Sequence, residues 1–69
     1  MGIGKNIRAI AAYRGITSLE LAEKSGVSRV SISKFLNEKM CPKTLTLKKI
    51  ADALGVTVDF ILTYEIKED

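Results

Sequence analysis

Between Lys24 and Lys49 the chain carries seven lysines and arginines against a single carboxylate, Glu38. From Ile50 to Asp69 the balance reverses, with one cation and five carboxylates. A polyanion is drawn to the middle of such a chain and repelled by its end, a distinction that the formal net charge of +3 conceals. Within the basic stretch, Arg29, Val30, Ser33, Lys34 and Asn37 fall on one side of a helical spacing, and Ile32, Phe35 and Leu36 fall on the other. The first set holds two cations, a hydroxyl and an amide, and no carboxylate. A helix face that meets only solvent usually mixes both signs. A carboxylate-free face suits a surface lined with phosphates.

Covalent chemistry has little to work with. There is no histidine, and Cys41 is the one cysteine, so a nucleophile paired with a base is absent. No Cys/His cluster can hold zinc, and no glycine-rich phosphate loop is present. No enzyme activity, cofactor, metal or small-molecule ligand is therefore expected. Cys41 reads as a small loop hydrophobe.

The elements that position the basic face begin at Thr17. In TSLELAEKSGVSRVSISKFLN, Thr17 can cap a helix and Glu20, three residues on, can reach back to complete a capping box. Gly26 can take the left-handed conformation that ends this helix. Ser28 caps the next one. Two short helices turning about a glycine form a helix-turn-helix, whose second helix is shaped to enter a DNA major groove. Ile16 and Leu21 flank the Thr17 cap at the spacing of a hydrophobic staple. Val27 and Ile32 do so around Ser28, and Val56 and Ile61 around Thr57. In the first helix Ile3, Ile7, Ile10 and Ala11 form a core-facing stripe, with Lys5, Arg8 and Arg14 off it. Pro42 stops any helix between Glu38 and Lys43. Leu47, Ile50, Ala51 and Leu54 mark a fourth helix ended by Gly55. Helices are thus predicted at about 3–14, 18–25, 29–37, 44–54 and 58–62, with a tail over 63–69 that either frays or forms a short strand.

This pattern resembles the helix-turn-helix of the Cro/phage-repressor-type regulators, the XRE family. The matching positions are Thr17, Leu21, Ala22, Gly26, Val27, Ser28, Ile32, Ser33 and Phe35. IGKNIR at the start resembles the family's first helix, and LKKIADALGVTVDFIL resembles its fourth and fifth. The resemblance implies an all-α, five-helix, lambda-repressor-like domain that binds a double-stranded DNA operator and regulates transcription, as a repressor of prophage or mobile-element type. Carried over by position, it places Arg29, Val30, Ser33 and Lys34 at base edges and Ser18, Asn37, Lys39 and Lys43 at phosphates. Arg29 would then donate two bonds to guanine, Val30 would meet a thymine methyl, and Ser33 would reach through water.

The departures from the family are specific. Ser18 stands where a glutamine is common and has a shorter reach. Glu38 stands where a glycine is common, so its charge should point away from DNA, and Asn37 is expected to supply the left-handed residue instead. The family's pairing of an arginine in the first helix with a glutamate late in the third is replaced here by Ala11 and Leu36. These two are expected to touch in the core, an apolar substitute for a buried ion pair. Leu19 lies where the family is polar and reads as a lone exposed leucine.

Family members commonly bind inverted half-sites as two-fold dimers. Phe60 and Ile61 are expected to close the core, which leaves Leu62, Tyr64 and Ile66 as candidates for dimer contact. Sixty-nine residues form one domain, and a chain this short buries only about 60% of its unfolded surface. With no apolar run of membrane-spanning length and no signal peptide, a cytoplasmic location is expected, and no segment remains for a sensing domain. A competing function keeps the fold without the DNA: an antitoxin-like or adaptor module. Steep salt dependence and preference for one inverted repeat separate the two.

Overall fold

The computed structural model describes residues 2–65. Five helices follow in order: α1 (Ile3–Tyr13), α2 (Ser18–Ser25), α3 (Arg29–Leu36), α4 (Thr44–Leu54) and α5 (Val58–Thr63). α2 packs on α3 and α4, α1 packs on α3 and α5, and α4 meets α5. Every helix contributes to one core, whose fully buried side chains are Ile7, Ile10, Leu21, Ile32, Ile50, Leu54 and Ile61. Their regular spacing in the sequence is the apolar stripe of each helix turned inward. This is the all-α, five-helix architecture expected.

The helix starts follow local chemistry. The Thr17 hydroxyl accepts from the Glu20 amide at 3.1 Å, and Glu20 Oε1 accepts from the Thr17 amide at 3.2 Å, which closes the capping box. Ser28 Oγ accepts from the Ser31 amide at 3.2 Å, and Thr57 Oγ1 accepts from the Phe60 amide at 3.0 Å. Ile16, Val27 and Val56, one residue before each cap, pack against the core as the staple requires. α4 begins at Lys43 without a side-chain cap.

The turn between α2 and α3 uses Gly26 at φ 75°. The buried hydroxyl of Ser25 donates to the Ala22 carbonyl at 3.4 Å and accepts from the Val27 amide at 3.2 Å. Both polar groups are satisfied inside the bend, so the two helices are joined with little slack.

The end of α3 differs from expectation. Asn37 is right-handed, at φ −94°, and the left-handed residue is Glu38, at φ 59°. Asn37 Nδ2 donates to the Ser33 carbonyl at 2.9 Å, which holds Asn37 to the helix and moves the reversal one residue on. The Glu38 amide bonds the Phe35 carbonyl at 3.1 Å and the Lys39 amide bonds the Lys34 carbonyl at 2.9 Å, the paired bonds of a Schellman end. A left-handed backbone costs a residue with a Cβ roughly 1–2 kcal/mol.

Two side chains depart from their expected places. Phe60 is 46% exposed and does not close the core; Ile61 does. The ring of Phe60 lies instead against that of Tyr64, centroids 5.6 Å apart, and Tyr64 is the one packed on the core. Leu36 is half-buried at the core's edge, on the helix that packs against α1 with its buried Ala11. Leu19 is 45% exposed. Thr63 belongs to α5, so the tail is shorter than expected, and Ile66 lies outside the described residues.

Candidate nucleic-acid interface

α3 rests its inner face on the core through Ile32 and Phe35, and this fixes what it presents outward. Arg29, Val30, Ser33, Lys34 and Asn37 are all exposed. They line one open groove of about 790 Å³ together with Leu36. Ser18 from α2, Lys39 from the loop after α3, and Arg8 from α1 complete its walls. All four base-edge candidates therefore lie together, and three of the four phosphate candidates join them. Lys43 does not line this groove; it is exposed at the start of α4.

Arg8 lines the groove without being among the candidates legible in the sequence. It lies one turn before Ala11, on the flank of α1 that faces α3. The expected pairing of Ala11 with Leu36, which sets α1 beside α3, is the signal that could have found it. The groove thus has four cations, Arg8, Arg29, Lys34 and Lys39, and no carboxylate in its lining. Four positive groups on one concave wall raise the local potential for a polyanion well beyond what the net charge conveys.

Backbone dipoles add to this field. The first amides of a helix have no partner within it. The Thr17 and Ser28 caps satisfy the third amide of α2 and of α3, which leaves those of Ser18 and Leu19, and of Arg29 and Val30, pointing forward. Both helix starts favour an anion. Ser33 is partly occupied within the helix, since Asn37 Nδ2 lies 3.4 Å from its hydroxyl. Val30 is 66% exposed, an apolar projection between Arg29 and Lys34.

Glu38 is kept out of the groove. Its Oε2 accepts from the Lys5 amide at 3.3 Å, at the start of α1. Glu20 sits at the other helix start, where hydrogen bonds from the Thr17 amide and hydroxyl, with a smaller pull from Lys24, hold its carboxyl below the ordinary value of 4.5. Among the described residues no group of three or more His, Cys, Asp and Glu could hold a metal, and no helix is long and apolar enough to cross a membrane.

A helix-turn-helix that offers the outer face of its second helix beside two open helix starts defines a helix-turn-helix domain of lambda-repressor-like fold. A sequence model of the helix-turn-helix family matches residues 7–61. The chain is 37% identical over 71 residues to the immunity repressor protein of Bacillus phage phi105, covering 100% of this chain and 49% of that one. Its fold is similar to the solution structure of the DNA-binding domain of the P22 c2 repressor, with a TM-score of 0.88 and 26% identity over 100% of this chain and 91% of that domain. It is similar too to the crystal structure of the P22 c2 repressor in complex with a synthetic operator, with a TM-score of 0.81 and 28% identity over 94% of this chain and 98% of that one. The chain belongs to the Cro/phage-repressor-type, or XRE, family of helix-turn-helix proteins. It spans about half the length of the phage immunity repressor.

Proposed function

We propose that this chain binds a specific double-stranded DNA sequence and represses transcription there, in the manner of a phage or mobile-element repressor. The observation that carries this reading is the convergence of Arg29, Val30, Ser33 and Lys34 with Arg8, Ser18 and Lys39 on one carboxylate-free groove. The relationship to a phage immunity repressor, and the likeness to a repressor bound to its operator, support it. In this reading α3 enters the major groove with Arg29 at a guanine and Val30 at a thymine methyl. Arg8, Ser18, Asn37 and Lys39 hold the backbones on either side, and Lys43 reaches a more distant phosphate.

The same reading makes the bound form a two-fold dimer. Reading helices on successive turns of one DNA face are about 34 Å apart, and a single copy measures 33 × 22 × 19 Å. Neighbouring copies therefore come within touching distance. Phe60 and Leu62, 46% and 50% exposed on α5, supply apolar surface for that contact, with Tyr64 beside them.

Selection of bound duplexes from a random pool tests the proposal. The expected product is an inverted repeat, bound by several orders of magnitude more tightly than random duplex and with steep salt dependence. No enrichment and a flat salt response would instead favour the adaptor module.

A further inference from the structure

Glu38 combines three features that a passive surface residue does not need. It holds a left-handed backbone that favours glycine. Its carboxylate crosses to another element and accepts from the Lys5 amide at 3.3 Å. It does so where α1 lacks a cap of its own, since Gly2 has no side chain to offer and no acidic residue stands in the first turn. The carboxylate thus takes the place of an N-cap supplied from thirty-three residues away. Two glycines make room for it. A Cβ on Gly2 would collide with the Glu38 carboxylate, and one on Gly4 with the Phe35 carbonyl.

We propose that Glu38 is a positioning residue for DNA reading: its carboxylate, resting on the open start of α1, clasps the end of α3 to α1 and sets where Lys39 and Arg8 stand relative to the reading face. The clasp joins the two helices that wall the groove. Glu38 is adjacent to Lys39, whose amide is bound to the Lys34 carbonyl, so its backbone conformation is transmitted to both lysines. On the other side it fixes the first turn of α1, from which Arg8 projects one turn later. The same contact holds the carboxylate outside the lining of the groove. This inference rests on the proposed DNA-binding function.

The test compares wild type with Glu38→Gly, Glu38→Gln and Gly2→Ala. Each is titrated with the selected duplex and with a random duplex of equal length, and exchange of the Lys5 amide is followed by NMR without DNA. Glu38→Gly keeps the left-handed turn and removes the clasp. Its preference for the selected duplex is expected to fall roughly tenfold, the order of one weakened base contact, while its thermal unfolding temperature is retained. Glu38→Gln keeps an acceptor for Lys5 and should keep the preference within about twofold, a partial retention consistent with a neutral hydrogen bond. Gly2→Ala leaves the charge in place but displaces the carboxylate, so it should lose preference as Glu38→Gly does. Lys5 exchange should accelerate in both.

Equal gains in affinity of Glu38→Gly for both duplexes, with Gly2→Ala unchanged, would overturn the proposal and leave Glu38 a repelling charge. Faster Lys5 exchange with unaltered preference would overturn it too, leaving a structural cap. A wild type with no preference would overturn the DNA-binding reading together with the clasp, whereas a selective wild type whose variants are all equally selective overturns the clasp alone.

Discussion

The carbonyl oxygen of Phe35 occupies the space that a side chain on Gly4 would need. α1 and α3 approach so closely because Gly4 is buried and bare. A glycine inside a helix costs about 1 kcal/mol relative to alanine, so propensity alone would make Gly4→Ala stabilising. The backbone carbonyl cannot retreat as a flexible side chain could. We expect the added methyl to push the helices apart and destabilise the protein by about 1–3 kcal/mol, net of propensity. Urea unfolding measures this directly, and a rise in stability would contradict the close approach.

Arg29→Ala should relax preference at one base position by about 1–3 kcal/mol and leave folding intact, because its side chain is exposed at the start of α3. A panel of single-base operator variants locates that position. A uniform loss across all variants would move Arg29 from base edge to phosphate.

Arg8→Ala and Lys39→Ala should behave in the opposite way. Both line the groove from its flanks. Each is expected to weaken binding on every sequence and to reduce the slope of log affinity against log salt by about one unit. For Lys43, which lies outside that groove, the same substitution should change the slope less. An equal effect from Lys43 would show that the bound DNA extends beyond the walls described.

The capping box links pH to the fold. The carboxyl of Glu20 titrates below its ordinary value because the charged form is bonded by Thr17. Its stabilising contribution is fully present above about pH 4.5 and is lost as pH falls through the lowered folded value. Thr17→Ala removes the hydroxyl cap, with an expected loss of about 1 kcal/mol at neutral pH. The same change should flatten the acid limb of stability against pH only in part, because the backbone amide at position 17, the larger cause of the lowered value, is kept; thermal melts from pH 3 to pH 7 would resolve this.

Leu62→Glu tests the proposed dimer contact. Leu62 is 50% exposed, so the monomer fold should survive the substitution. Binding to a full inverted repeat is expected to lose its cooperative component, while binding to an isolated half-site stays within about threefold, as an exposed change away from the reading face should. Unaltered cooperativity would remove α5 from the contact.

Legibility in the sequence followed the range of the interactions. Thr17, Ser28 and Thr57 were readable as helix starts because each cap and staple lies within six residues. The stripes of Ile7, Ile10, Leu47 and Ile50 gave the core for the same reason. The candidates at Arg29, Val30, Ser33 and Lys34 were legible once Ile32 and Phe35 fixed the inner face. What failed was set across the fold. The family's glycine position is held here by Glu38, and Asn37, a residue type that tolerates the left-handed conformation, is the one expected to supply it instead. Glu38 takes that conformation instead, and its carboxylate has its partner on α1, which no local window contains. Phe60 is expected, with Ile61, to close the core. The rotation of α5 about Ile61 decides otherwise and sets the ring against Tyr64. Arg8 reaches the groove only through the packing of α1 on α3, which lies outside any local window.

The proposed reading helix, α3, has only eight residues. An isolated helix shorter than about 12–15 residues barely holds in water, so a peptide cut from α3 would carry the letters and lose the shape. Its rigidity is borrowed from the Ser25 bend, the Ser28 cap and the floor made by Ile32 and Phe35. On the proposed function, retargeting to another duplex sequence is therefore a matter of exchanging outward side chains on an unaltered chassis, rather than of transplanting the helix.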